Sequence, residues 1–247
     1  MRRFGLIGYP LSHSFSQRYF TEKFHQEQIT GCVYENFPLQ QISELTAVLA
    51  QQSGLNGLNV TIPYKEQVLS FLHHRNEVVQ EIGACNCIRI RNGELTGFNT
   101  DVIGFEQSLL QYLQPAHRKA LVLGTGGAAK AIHYVLRKHG IEFLEVSRTP
   151  APGNNRQLSY EQVTELIVKE YTLIVNTTPL GMYPNVDNAP ELPYAALTPA
   201  HYLFDLVYNP AMTLFLQRGA DRGAAVKNGM DMLVIQAEES WRIWNEP

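Results

Sequence analysis

Short apolar runs alternate with longer amphipathic stretches along the whole chain. Residues 4–7, 33–37, 58–62, 120–123, 143–146, 173–176, 202–206 and 224–227 are runs of strand length. Between them, 17–26, 42–52, 102–113, 127–136, 160–169, 213–219 and 230–244 space their apolar residues as helices do, as with Ile42, Leu45, Val48 and Leu49. Residues 54–57, Gly-Leu-Asn-Gly, end the second helix. In the strand that follows, Leu58, Val60 and Ile62 share one face and Asn59 and Thr61 the other, and Pro63 stops it. A helical segment then runs from Lys65 through Val68, Leu69 and Leu72. Asn92-Gly93 predicts a hairpin joining 87–91 to 94–98. Asp101 stands where an N-cap is expected for the next helix, so a first domain closes near residue 101 and that helix leads into a second. Strands alternating with helices make this an α/β chain.

One stretch carries recognisable chemistry. Residues 119–131 read Lys-Ala-Leu-Val-Leu-Gly-Thr-Gly-Gly-Ala-Ala-Lys-Ala. An apolar strand, a glycine turn and a helix opening on small residues form the setting in which a G-x-G-x-x-G/A pattern has meaning. Gly124 makes the tight turn, Gly126 lets the backbone approach a pyrophosphate, and Ala129 lets the helix sit close on the strand. The free amides of Gly127 and Ala128 and the helix dipole favour phosphate charge. The next strand ends in Ser147-Arg148-Thr149, about twenty residues on, where an NAD site places Asp or Glu. A guanidinium with hydroxyls on either side suits a 2′-phosphate, so the expected cofactor is NADP.

Composition narrows the field. The chain has 247 residues, 45% hydrophobic and 17% charged, with a net charge of −3, which fits a two-domain globular protein. No basic block points to nucleic acid, and no apolar run approaches membrane-spanning length. Cys32, Cys85 and Cys87 form no C-x-x-C pair, which argues against a disulfide frame or a zinc site. The expected setting is the cytoplasm, with no metal.

Two further places draw notice. Ser14 and Ser16 precede a helix: one of them caps it, or the two hydroxyls and the helix start cradle a carboxylate, and the residues alone leave both open. Lys65 stands just past a strand end, where side chains converge, although a lone lysine at a helix start is ordinarily a solvated charge. Residues 177–182 lie at the C-terminal end of an apolar strand, where ligands of open parallel sheets bind.

Taken together, the chain resembles the shikimate dehydrogenase family from Gly8 to about Gln236. The resemblance rests on Gly8-Tyr9-Pro10-Leu11-Ser12-His13-Ser14-Phe15-Ser16, Asn59-Val60-Thr61-Ile62-Pro63-Tyr64-Lys65, Gly83-Ala84-Cys85-Asn86 and Asn99-Thr100-Asp101. It rests also on the glycine turn, Ser147-Arg148-Thr149, Asn176-Thr177-Thr178-Pro179, Asp205-Leu206-Val207-Tyr208-Asn209-Pro210 and Asn228-Gly229. Met232-Leu233-Val234-Ile235-Gln236 closes the series.

The resemblance implies a Rossmann-type NADP-binding domain at 102–228 and an α/β substrate domain at 1–101 and 229–247, with a cleft between them. The implied reaction is the reversible NADPH-dependent reduction of 3-dehydroshikimate to shikimate, on the way to chorismate and the aromatic amino acids. By likeness, Lys65 and Asp101 are the catalytic pair. Ser14 and Ser16, with Tyr208, bind the substrate carboxylate, and Thr61, Asn86, Asp101 and Gln236 hold its ring hydroxyls. Gly124, Gly126, Gly127, Ala128, Ser147, Arg148, Thr149, Thr177 and Gly229 bind the cofactor. The expected partner is this small molecule alone, and the expected state a monomer or homodimer.

The chain departs from the family pattern at Cys87, usually Thr, at Ser147, usually Asn, and at Val102, commonly Gly. It also lacks a second arginine at the usual offset after Thr149. The alternatives are a quinate/shikimate dehydrogenase using NAD and a non-catalytic dinucleotide or metabolite sensor of the same fold. A sensor is expected to have lost Lys65 or Asp101, and both are present.

Overall fold

A computed structural model describes residues 1–11 and 14–246 of the chain. Ser12 and His13, in the serine loop, lie outside the described residues. The chain divides into one unit of Met1–Thr100 completed by the C-terminal stretch from Gln236, and a second of Asp101–Ile235.

The first unit opens with β1 (Arg2–Gly8), α1 (Phe15–Gln26) and β2 (Cys32–Pro38). A 3₁₀ turn at Ile42–Glu44 leads into α2 (Leu45–Gln51), then β3 (Leu55–Val60). After a second 3₁₀ turn at Gln67–Phe71 come β4 (His74–Arg75), α3 (Glu77–Ile82), β5 (Cys87–Arg91) and β6 (Glu94–Phe98). The sheet order is β2-β1-β3-β5-β6-β4. β1 is parallel to both its neighbours, and β5 turns the sheet antiparallel. Ile7, Leu45, Leu58, Val68 and Ile88 bury one face. Phe4, Phe20, Phe24, Tyr34 and Trp244 bury the other in a stack of rings.

Here the structure corrects several expectations. Residues 55–57 do not end a helix; β3 already runs through them. Gly57 looks like a turn residue but is a packing residue, because a Cβ there would run into the Trp244 indole, whose Nε1 donates to the Ile88 carbonyl at 3.0 Å. β3 stops at Val60, and Ile62 is 72% exposed rather than part of the apolar face. The segment after Lys65 forms only the 3₁₀ turn, burying Val68. Asn92 and Gly93 have φ of 51° and 82°, the left-handed pair that a two-residue hairpin needs. β4 is too short for any periodicity to announce it.

Next, α4 (Thr100–Leu110) begins one residue before Asp101. Asp101 is therefore not its N-cap but an acid in its first turn, where the helix dipole favours it. The second unit continues with β7 (Lys119–Leu123), α5 (Gly127–Lys138), β8 (Glu142–Val146) and β9 (Gln157–Leu158). Then come α6 (Glu165–Glu170), β10 (Leu173–Asn176), β11 (Tyr202–Asp205), α7 (Leu214–Ala220), β12 (Ala225–Lys227) and α8 (Met230–Asn245), which passes back into the first unit at Gln236. The helix expected at 160–169 is split into a 3₁₀ turn at Tyr160–Gln162 and α6, because Thr164 caps a fresh start by accepting from Ile167 N.

All six strands of this sheet are parallel, in the order β12-β11-β10-β7-β8-β9. The chain winds outward from β7 in both directions, so β7 and β10 flank the switch point where doubly wound sheets take their ligands. Leu121, Leu123, Ile174, Leu203, Phe215 and Leu216 fill one core here. Among the described residues, no helix is long and apolar enough to cross a membrane.

Candidate active site

In the first unit, the predicted side chains gather where β1 and β3 run out. The two exits are tied together: Thr61 N donates to the Ile7 carbonyl at 2.9 Å, and Tyr9 N to the Ile62 carbonyl at 3.1 Å. A Cβ on Gly8 would run into the Thr61 methyl, so only glycine lets the serine loop leave here. Lys65, half-buried, is anchored through its carbonyl, which accepts from Cys85 N at 2.8 Å. That bond brings the lysine turn beside the segment that carries Asn86.

A buried polar network organises the same end. Asn86 accepts Thr100 N at 2.6 Å, and its Nδ2 donates to Thr100 Oγ1 at 3.1 Å and Gln236 Oε1 at 3.2 Å. Asn59 Nδ2 donates to the Asn86 carbonyl and to Ser240 Oγ, while Asn59 Oδ1 accepts the Tyr34 hydroxyl at 2.9 Å. Burial pushes the Tyr34 hydroxyl well above the ordinary tyrosine range, which keeps it a donor, and Ser16 lies near enough to oppose that rise. The structure thus links Tyr34, Asn59, Asn86 and Gln236 in one network, with Ser16 beside Tyr34. Ser14 caps α1, accepting Gln17 N at 3.4 Å.

Tyr34, Asn59, Thr100 and Ser240 were not among the predicted site residues. Asn59 did carry a signal, a polar side chain facing away from the apolar face of its strand; Tyr34 and Ser240 carry none, since their partners are distant in sequence. Cys87, beside them, is a buried thiol whose pKa burial raises, so it stays protonated.

In the second unit, the exit of β7 is made of backbone. Gly124 has a φ of 105° and lies against Thr177, whose Oγ1 would be 2.7 Å from a Cβ there. Thr177 is itself fixed by N and Oγ1 bonds to the Leu123 carbonyl, at 2.9 and 2.8 Å. Gly126 is the N-cap of α5 with no side-chain cap, and a Cβ on it would meet nothing within 4 Å. The amides of Gly127 and Ala128 follow at the helix start, where no preceding turn can use them. Uncapped donors and open space at a twelve-residue helix fit a pyrophosphate.

At the exit of β8, Ser147 Oγ accepts Thr149 N at 3.2 Å, and Arg148 and Thr149 are exposed. Tyr160 lies close enough to feel the Arg148 charge; burial raises its pKa and the arginine opposes that. Arg156 precedes Gln157, which pairs with Glu145, so Arg156 stands level with the middle of β8 and not with its exit.

The exits of β10 and β11 are joined by a side chain quoted in the sequence but given no role there. Asp205 is fully buried; its Oδ1 accepts Asn176 Nδ2 at 2.9 Å and Val207 N at 3.0 Å, and its Oδ2 accepts Thr213 Oγ1 at 2.6 Å. Burial outweighs these donors and pushes the carboxyl up to about 6. Gly229 N donates to the Val207 carbonyl, and a Cβ on Gly229 would run into the Leu206 carbonyl oxygen, which explains this glycine without a ligand. Tyr208, half-buried, follows that pinned turn. Asp101 and Tyr208 belong to the second unit, the other predicted catalytic and substrate residues to the first. Among the described residues, no cluster of His, Cys, Asp or Glu is placed to hold a metal.

The class defined is an α/β protein with one doubly wound, Rossmann-type unit and a second, mixed-sheet unit carrying polar side chains at its strand exits. A family model described as the shikimate dehydrogenase substrate binding domain matches residues 6–88. The shikimate dehydrogenase (NADP(+)) of Caldanaerobacter subterraneus subsp. tengcongensis is 35% identical over 98% of this chain and 90% of its own length. The crystal structure of shikimate dehydrogenase 1 from Peptoclostridium difficile is 35% identical with a TM-score of 0.84, covering 99% of this chain and 91% of that one. The Thermus thermophilus enzyme, in complex with NADP(H) and shikimate, is 31% identical with a TM-score of 0.86, covering 99% and 94%. The chain belongs to the shikimate dehydrogenase family.

Proposed function

We propose that the protein catalyses the reversible reduction of 3-dehydroshikimate to shikimate with NADPH. The observation that carries this reading is the pair of prepared strand exits: Ser16, Thr61, Lys65, Asn86 and Gln236 around β1 and β3, and the uncapped glycine turn after β7. The first unit takes the substrate and the second the dinucleotide. Ser14, Ser16 and Tyr208 bind the carboxylate; Thr61, Asn86 and Gln236 hold the ring hydroxyls. Gly124, Gly126, Gly127, Ala128 and Thr177 take the pyrophosphate side of the cofactor, with Gly229 beside the turn that carries Tyr208. Ser147, Arg148 and Thr149 take the 2′-phosphate.

When bound, NADPH supplies the hydride. Hydride addition leaves negative charge on the ketone oxygen, so a positioned proton donor lowers the barrier. The Lys65 ammonium donates that proton, and the Asp101 carboxylate holds it in place. In the oxidative direction the same pair receives the hydroxyl proton. The reading includes a cytoplasmic setting, in keeping with three free cysteines, and a monomer or homodimer.

The test is absorbance of NADPH formed from shikimate and NADP, with NAD and quinate as paired controls. Turnover with shikimate and NADP alone is expected. Comparable kcat/KM with quinate or NAD would move the protein to the quinate/shikimate class. Folded protein that binds NADPH and turns over no pair would be a sensor.

A further inference from the structure

Asp205 is the fully buried carboxylate at the last position of β11, and its three partners are all neutral donors. Each partner governs a different piece of chain. Asn176, held through its Nδ2, turns its Oδ1 to accept Thr178 N at 3.0 Å and Thr178 Oγ1 at 2.6 Å. Thr178 Oγ1 in turn accepts Leu180 N at 3.3 Å. Val207 N, held directly, fixes the turn that leads to Tyr208. Thr213 caps α7, accepting Leu216 N, and its Cβ lies 3.4 Å from where a Cβ on Gly181 would stand. One side chain therefore sets residues 176–181, 205–208 and the start of α7 against each other. Backbone bonds anchor these loops at Thr177 N, Leu206 N and Gly229 N, and Met182 N donates to the Pro179 carbonyl. A buried anion without a bonded cation opposes its own ionisation, and Asp205 titrates high for that reason. Such a group is poor cement for a core, and its bonds all go to strand exits.

We propose that Asp205 is a positioning residue: through Asn176 it holds the β10 exit in the shape that presents Thr177 to the dinucleotide, and through Val207 it holds the β11 exit that presents Tyr208 to the substrate carboxylate. The inference rests on the function proposed above. It separates two arms of one network, and the arms can be cut singly. Asn176→Ala removes the link to Thr178 and leaves Asp205 joined to Val207 and Thr213. Asp205→Ala removes both arms. Asp205→Asn keeps the shape and an oxygen acceptor for Asn176 and Val207, while its amide donates to Thr213 Oγ1 in the reverse sense.

Steady-state kinetics are measured for each variant well below its own melting temperature. Asp205→Ala is expected to raise KM for both NADP and shikimate tenfold or more, and Asp205→Asn to restore both to within about threefold. Asn176→Ala is expected to raise KM for NADP while leaving that for shikimate near the wild-type value. Hydrogen exchange at the amides of Thr178, Leu180 and Val207 is read in parallel, and in Asn176→Ala only the first two are expected to speed up. Unchanged KM values in a folded Asp205→Ala would overturn the proposal, as would an Asp205→Asn variant no better than the alanine one, or an equal rise in both KM values on Asn176→Ala. If Asp205→Ala does not fold, the Asn176→Ala split decides. If the wild-type protein turns over no shikimate, the functional reading fails by itself, and the exchange pattern still tells whether Asp205 holds the two exits.

Discussion

The two sheets obey one rule with opposite materials. Both collect their functional groups where parallel strands run out. At the exits of β1 and β3 the proposed groups are side chains, Ser16, Thr61 and Lys65, and the Asn59–Asn86 network lies at the same end. At the exit of β7 the groups are backbone amides exposed by the absence of side chains at Gly124 and Gly126. On the proposed function, the difference follows from what is gripped. A small ring with several hydroxyls needs distinct donors and acceptors aimed from several directions. A pyrophosphate needs close approach to a helix start, which any Cβ hinders. The first site is therefore broken by taking atoms away and the second by adding them.

The largest expected effect is at Lys65. Lys65→Ala should lower kcat by ~10²–10⁴ with a smaller change in KM, because a general acid is worth about that much. Near-wild-type kcat would remove Lys65 from the chemistry. The converse experiment is Gly126→Val. A Cβ there meets nothing within 4 Å, so the melting temperature should hold, while KM for NADP rises by ~10-fold or more as the phosphate is kept off its amide donors. A substantial loss of melting temperature with unchanged KM would mean that Gly126 serves the fold and not a ligand.

Arg148→Ala should narrow the preference for NADP over NAD by about tenfold, the worth of one charge-assisted grip. Because Arg156 stands level with the middle of β8, Arg156→Ala should change the ratio little. An equal effect of the two substitutions would show that both reach the phosphate.

The effects furthest from the chemistry are in stability against pH, and here two buried groups of the second unit pull in opposite senses. The Asp205 carboxyl is raised to about 6 on folding, so it contributes stability at acid pH that is lost as pH rises from about 4 through about 6, up to about 3 kcal/mol. Burial lowers His117, so its contribution is present above the ordinary histidine value of about 6.5 and lost as pH falls through its lower folded value. Relative to wild type, Asp205→Asn should gain melting temperature as pH rises from 4 to 7, and His117→Gln should gain as pH falls. Parallel curves for either variant would show that its group does not titrate differently in the two states.

What the sequence made legible was local. β10 and the hairpin of β5 and β6 were read to the residue, because an unbroken apolar run and Asn-Gly are signals complete within a few positions. That one of Ser14 and Ser16 caps the following helix was readable too, though not that Ser14 is the one. Where partners are far apart in sequence, the reading failed or fell silent. Residues 55–57 were misread because the reason for Gly57 is Trp244, at the other end of the chain. Asp205 was visible only as part of a motif, since Asn176 and Thr213 come from a neighbouring strand and a later helix. The glycine turn was readable from strand and helix context, whereas roles for Thr61, Asn86 and Gln236 came only through family likeness. A lone polar residue has no periodicity to betray it.

The first unit is interrupted in sequence: it closes only when the stretch from Gln236 onward returns to it, placing Trp244 on Gly57 and Ser240 on Asn59. A ribosome makes these pieces in the reverse of the order that would be convenient. While the nascent chain emerges, the second unit is complete as soon as Ile235 is out, whereas the larger piece of the first unit, made first, must wait for the short piece made last. For that interval Phe4 and Tyr34 lack the indole that covers them. The unit carrying the lysine is thus the last to be finished, and its window of exposure to misassociation lasts through most of synthesis.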